Sequence, residues 1–242
     1  MEYSFKAVGD NALKLLLGGE VSERMNKTIR SICKKLSVAS ILGVVEWVPA
    51  YNSITIYYQP ICISFQRLKQ KVNQLINEPI EHDDVTVRIF HVPVVYGDKY
   101  GPDLQRVANF NHLSIEKVKF YHQQPEYLIY MLGFLPGFPY LGGLHDQLVT
   151  PRLDIPRPYV EAGSVGIASR QTGIYPVQSP GGWNIIGKTP VKLFHPDFQQ
   201  NAFLFEAGDR IKFFSISHQE YDDIVEKMKQ GSYEVFSKEV RR

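Results

Sequence analysis

The ten residues GGWNIIGKTP, Gly181 to Pro190, carry the spacing of a phosphate-binding loop, with G-x-x-x-x-G-K-[ST] running from Gly182 through Gly187 and Lys188 to Thr189. In such a loop, backbone N–H groups cradle phosphates, the Lys adds a positive charge, and the hydroxyl holds Mg²⁺ where a helix begins. The surroundings argue against that chemistry. The preceding PVQSPG holds two prolines in six residues, which no central strand tolerates. Pro196 follows Thr189 too closely for the required helix, since an interior proline costs about 3 kcal/mol. VKLFH between the prolines reads as a strand, and Trp183, Ile185 and Ile186 suit packing against a sheet. The match is therefore read as a structural turn, with the Gly181-Gly182 pair expected to need positive φ.

Other side chains could handle an anion. In SRQTGIYP, Arg170 and Gln171 offer fork-shaped donors beside a Gly turn, and Thr172 and Tyr175 add hydroxyls. The competing reading is that Gln171 and Thr172 satisfy turn backbone while Tyr175 packs. Arg152 and Arg157, in PRLDIPR, suggest carboxylate binding, or else ion pairs with Asp154 or Glu161. Trp183 and the aromatics of GFLPGFPY suit a pocket wall, a partner-facing patch or plain core packing. No catalytic residue is assigned. AGSVG around Ser164 lacks the G-x-S-x-G spacing of a nucleophile elbow. The histidines are dispersed, and the pairs His145-Asp146 and His195 with Asp197 read as solvated or turn groups rather than a metal set. His122 closes a short amphipathic helix and is left without a role.

These residues need elements to hold them. A chain of 242 residues, 44% hydrophobic, is long enough for two domains. YSFKAVG and ALKLLLG read as strands around Gly9-Asp10-Asn11, followed by helical spacing at Val21, Met25, Ile29, Ile32 or Cys33, and Leu36. GVVEWV and SITIYY repeat the strand pair, and Phe65, Leu68, Val72, Leu75 and Ile76 mark a second helix capped by Ser64. Two β-β-α halves predict one sheet with both helices on one face, over residues 1–82, with Asn77 to Asp84 as linker. Residues 83–242 read differently: strands interrupted by Gly and Pro favour an irregular, closed β architecture. NAFLFEAGDRIKFFSI is expected to give two last strands, and Ser217 with Glu220 a capping box for a terminal helix. Cys33 and Cys62 are expected to be buried reduced thiols. The near balance of 27 basic against 25 acidic residues is no footprint for nucleic acid or an anionic membrane. With neither a signal-peptide core nor a run of membrane-spanning length, a cytoplasmic protein is expected.

MLGFLPGFPYLGGL (Met131 to Leu144), the stretch from Thr150 to Phe194 and the N-terminal unit together resemble the family of 5-oxoprolinase B subunits. That family includes the kinase A inhibitor KipI and the sequence called allophanate hydrolase subunit 1 in fused urea-processing enzymes. Many of its members carry Arg where Lys188 stands, which would break the phosphate-loop pattern. The resemblance implies an α+β fold: an N-terminal α/β sandwich-like domain, then a cyclophilin-like β-barrel with a C-terminal helix. It implies a non-autonomous polypeptide that works with the A and C subunits of 5-oxoprolinase, opening 5-oxo-L-proline to L-glutamate at the expense of ATP. ATP with Mg²⁺ would act at the level of the complex and not be held tightly by this chain. Arg157, Arg170, Gln171, Thr172, Tyr175 and Trp183 are the expected ligand-facing residues of a site shared with the C subunit. The alternative is a KipI-type inhibitor that binds a sensor histidine kinase. A peptidyl-prolyl isomerase is suggested by fold analogy alone.

Overall fold

Gly9, at φ 60°, turns the chain between β1 (Tyr3–Val8) and β2 (Ala12–Leu17), which pair antiparallel from Val8↔Ala12 to Tyr3↔Leu17. The computed structural model describes residues 2–78, 86–197 and 202–241, in two units, Met1–Val85 and Thr86–Arg242. In the first, helix α1 (Glu23–Ala39) starts where the Ser22 hydroxyl accepts the Met25 N–H, and it buries Met25, Ile29, Ile32 and Leu36. Strands β3 (Val44–Pro49) and β4 (Ser53–Tyr58) follow, then α2 (Phe65–Asn77), capped by Ser64. Sheet order is β1-β2-β4-β3. Leu13, Leu15, Leu17, Ile54 and Ile56 form one core with both helices, as two β-β-α halves require. Val21 lies outside α1 and is half exposed. Cys33 is half-buried, and burial pushes its thiol up to about 11. Cys62 corrects the expectation: it is exposed, because the turn after β4 sends Ile63 inward and leaves Cys62 outside, its thiol donating to Gln59 Oε1. The expected boundary at residue 82 and most of the expected linker lie outside the described residues.

The second unit is a closed barrel. Its ring holds β5 (Thr86–Tyr96), β6 (Tyr127–Leu132), β7 (Pro139–Gly142), β9 (Ser164–Ala168), β10 (Gln171–Ile174), β12 (Asn184–Lys188) and β13 (Arg210–Ser215). The order β12-β9-β10-β7-β6-β13-β5 closes where Gly187 and Lys188 of β12 pair with Tyr96 and Val95 of β5. Val92, Val94, Val107, Ile129, Leu141, Ile167, Ile186 and Phe213 fill it. Helices α3 (Leu104–Phe110) and α4 (Ile115–Gln123) lie between β5 and β6 in sequence, and β8 (Arg157–Val160) pairs with β11 (Ser179–Gly181) as a separate ribbon. Helix α5 (His218–Lys229) begins with the Ser217–Glu220 capping box.

Three local expectations fail. VKLFH is not a strand; Phe194 makes only an isolated bridge with Phe203. The described residues of NAFLFEAGDRIKFFSI yield one strand, β13. The chain does not end on a helix: β14 (Ser237–Arg241) returns to pair with the first half of β5. No helix among the described residues is long and apolar enough to cross a membrane.

Candidate functional site

The phosphate-loop spacing resolves into strand β12. Trp183, Ile185 and Ile186 are buried, and the Lys188 ammonium pairs with Glu161. Residues 190–197, after Thr189, form no helix. A Cβ on Gly187 would come within 2.6 Å of the Val95 carbonyl oxygen, so that glycine serves strand approach rather than a phosphate cradle. Neither Gly181 nor Gly182 has positive φ. Gly181 is constrained by space instead, because a Cβ there would overlap the Tyr175 hydroxyl. This segment does not fit ATP. Among the described residues no group of three or more His, Cys, Asp or Glu comes together in a way that could hold a metal.

The chemistry-bearing residues divide by depth. Thr172 is fully buried inside the barrel, where its hydroxyl donates to the Gly166 carbonyl at 3.0 Å and lies 2.9 Å from His122 Nε2. It faces the core and not a barrel mouth. Arg170 is mostly exposed at the β9–β10 turn, beside Ser169 at φ 51°, and pairs with Asp146. Gln171 opens β10 opposite Ala168 and is half-buried.

Tyr175 and Trp183 come together with Phe138 in an aromatic cluster, the rings edge-on at 5.3 Å for Phe138–Tyr175 and 5.4 Å for Phe138–Trp183. Burial raises the Tyr175 phenol above its usual range; the Trp183 backbone N–H and the charges of Arg152 and Arg157 pull it back. Arg152 exerts the same pull on Tyr140, which packs against Phe138. The charges of two guanidinium groups thus act on one aromatic cluster. That combination suits a small anion with a planar body.

Arg157 is fixed by a residue that sequence reasoning missed. Its Nη2 donates to Asp103 Oδ1 at 2.6 Å, while Asp103 Oδ2 accepts the Ile185 N–H at 2.7 Å. Its Nη1 is enclosed with no partner among the described residues. Beside it, Arg106 Nε donates to Asn184 Oδ1 at 2.9 Å, and Asn184 Nδ2 reaches the Pro151 and Ile167 carbonyls. In GPDLQ, Asp103 looks like a helix cap; in the fold its side chain caps nothing and reaches across to β8 and β12. The expected ion pairs of Arg157 with Asp154 or Glu161 are not the ones formed. His145 caps a short turn and stacks on Tyr121 at 4.1 Å. Clefts of about 520 and 450 Å³ lie on the N-terminal unit, but they lack this convergence of arginines and aromatic rings.

The chain thus combines a two-layer α/β unit with a closed seven-stranded barrel. Residues 3–204 match the family model described as carboxyltransferase domain, subdomain C and D. The chain belongs to that family, and within it to the group of 5-oxoprolinase B subunits: it is 41% identical over 232 residues to the B subunit of the 5-oxoprolinase from Bacillus subtilis (strain 168), covering 91% of this chain and 96% of that one. Among solved structures, TTHA0988 is similar with a TM-score of 0.75 and 38% identity over 85% of this chain, which spans only 40% of that longer chain. The Kluyveromyces lactis urea carboxylase shares the fold, with a TM-score of 0.83 at 20% identity; this chain spans 24% of it.

Proposed function

We propose that the chain is the B subunit of an ATP-dependent 5-oxoprolinase complex, opening 5-oxo-L-proline to L-glutamate at a site completed by the C subunit, with the A subunit in the same assembly. The observation that carries this is the 41% identity spread over 96% of a protein named as a 5-oxoprolinase B subunit. The family description supports it too, since subdomains C and D imply complementary subdomains elsewhere. A lactam is a poor electrophile, and ATP with Mg²⁺, held at the level of the complex, supplies the activation that lets water attack the ring carbonyl. This chain contributes positioning. Arg152 and Arg157 offer donors to the substrate carboxylate, the Tyr175 and Trp183 rings flank its apolar carbons, and Arg170 with Gln171 borders the site. Thr172 supports it from within the barrel. A cyclophilin-like kinship for the barrel and a cytoplasmic location belong to the same reading.

The test is reconstitution from purified polypeptides. ATP-dependent glutamate release is expected from the three subunits together and not from this chain alone. Turnover by the lone chain, or none by the full set, overturns the reading. If the full set is inert and the chain instead blocks autophosphorylation of a sensor histidine kinase, a KipI-type inhibitor replaces it.

A further inference from the structure

The β6–β7 hairpin holds a large apolar side chain out in solvent. Phe134 is 68% exposed, yet its φ of 67° lies in the left-handed region that disfavours any residue with a Cβ, and bulky ones most. The turn enforces this. Gly133 N–H donates to the Phe138 carbonyl at 3.1 Å, Leu135 N–H to Gly133 at 2.8 Å, and Phe138 N–H to Leu135 at 3.0 Å. Glycines occupy positions 133 and 137 of the same turn, so glycine at 134 would relieve strain and remove an exposed ring together. A strained, exposed aromatic calls for a contact outside the unit.

Phe134 does not stand alone. A Cβ on Gly137 would sit 3.2 Å from the Phe203 ring and 3.5 Å from Phe194 Cβ, which places the hairpin tip against that pair. Phe194 and Phe203 stack at 5.2 Å, and Phe203 is 45% exposed. Behind the tip, Phe134 meets Phe138 edge-on at 5.9 Å, and Phe138 leads directly into Tyr175 and Trp183. The result is a rigidly backed aromatic ledge that borders the candidate site. Lone exposed apolar residues are ordinary on any surface; a strained one on a hairpin whose tip abuts a further aromatic pair is not.

We propose that this ledge, Phe134 with Phe194 and Phe203, is the docking surface for the polypeptide that carries the complementary carboxyltransferase subdomains. Under the proposed function, on which this inference rests, that polypeptide is the C subunit. Two observations select that occupant. TTHA0988 and the urea carboxylase hold the same fold within much longer chains, of which it makes up 40% and 24%, so in them further polypeptide accompanies it covalently. The ledge is also continuous with the Phe138–Tyr175–Trp183 cluster, so a partner seated there lies beside the arginines with which it would complete a composite site.

Association of the full chain with the purified C subunit is measured by titration calorimetry for wild type, Phe134→Gly, Phe203→Ser and, as control, Phe120→Ser, an exposed aromatic on α4. Phe134→Gly is expected to weaken association at least tenfold while leaving the unfolding temperature unchanged or higher, a combination that a structural role does not produce. Phe203→Ser weakens it as well, and Phe120→Ser leaves it within twofold. The proposal fails if Phe134→Gly binds like wild type, or loses affinity and thermal stability in step. It also fails if the chain alone is a dimer that Phe134→Gly dissociates while affinity for the C subunit is unchanged, which makes the occupant a second copy. Wild type that binds the C subunit yet opens no lactam with the full set refutes the proposed function and not the ledge; wild type that never binds the C subunit refutes both.

Discussion

Thr172 has one hydroxyl hydrogen, and it goes to the Gly166 carbonyl, so the same oxygen can only accept from His122. His122 therefore carries its proton on Nε2, and Nδ1 accepts from the Tyr96 hydroxyl at 2.8 Å. Phe213 stacks on the ring at 4.6 Å. Both ring nitrogens are satisfied in the neutral form, and burial lowers the imidazole pKa to about 3. Folding thus favours neutral His122. This contribution is complete above the unfolded value near 6.5 and is lost as pH falls from there toward 3, by about 1.4 kcal/mol for each unit. Urea unfolding of wild type and His122→Gln at pH 7.5, 6 and 5 checks it: the variant starts less stable, but its stability falls less steeply with acidification. Parallel slopes would remove His122 from the account. Asp103 and Arg157 teach a related point, since an acid and a base 54 positions apart show no local sign that they pair.

At the scale of elements, the β8–β11 ribbon carries Arg157 on one strand and closes over Tyr175 with the other. Its register makes Gly181 the partner of Arg157, and a Cβ on Gly181 would stand 2.8 Å from Tyr175 Cζ. Gly182 has nothing nearer than Pro156 at 3.7 Å. Gly181→Ala should therefore cost about 1–3 kcal/mol by overpacking, and Gly182→Ala less than about 0.5 kcal/mol. Thermal denaturation of the two variants decides this, and equal losses would mean that the ribbon yields freely. Legibility in the sequence followed the range of the interactions. The β-β-α halves were readable because residues such as Ile29, Ile32 and Leu36, or the alternating Leu13, Leu15 and Leu17, announce their element within a few positions. Barrel closure through Gly187↔Tyr96 and the return of β14 onto β5 pair residues about 90 to 150 positions apart and leave no periodic trace. Hydroxyl and aromatic residues in a Gly-rich stretch were legible as a cluster, but not by depth: Thr172 and Tyr175 turned inward while Arg170 stayed outside.

At the scale of the molecule, two cores lie in two units, and their chemistry differs in one respect that pH can read. The core of Leu13, Leu15, Ile54, Ile56 and Leu68 belongs to residues 1–78, which contain no histidine. Among the described residues, the two histidines whose pKa the fold depresses lie in the barrel unit. One is His122; the other is His91, lowered first by burial and then by the charge of Lys238, with Nε2 enclosed and unpartnered among the described residues. The carboxylates with lowered pKa, Glu161 held by Lys188 and Glu220 held by Ser217, titrate below their ordinary value of 4.5, so they are silent between pH 7.5 and 5.5. In that window His122 and His91 take up protons on unfolding and favour the unfolded state of the second unit. Lowering the pH from 7.5 to 5.5 should then reduce the opening free energy of the barrel by about 1 kcal/mol or more, and leave the N-terminal sheet unchanged. Hydrogen exchange, corrected for the intrinsic pH dependence of amide rates, reads both in one experiment through β5 and β10 against β2 and β4. Faster corrected exchange in β5 and β10 alone is the expected result. Equal acceleration in all four strands would show that the units open together, and that the histidines of the barrel tax the whole chain.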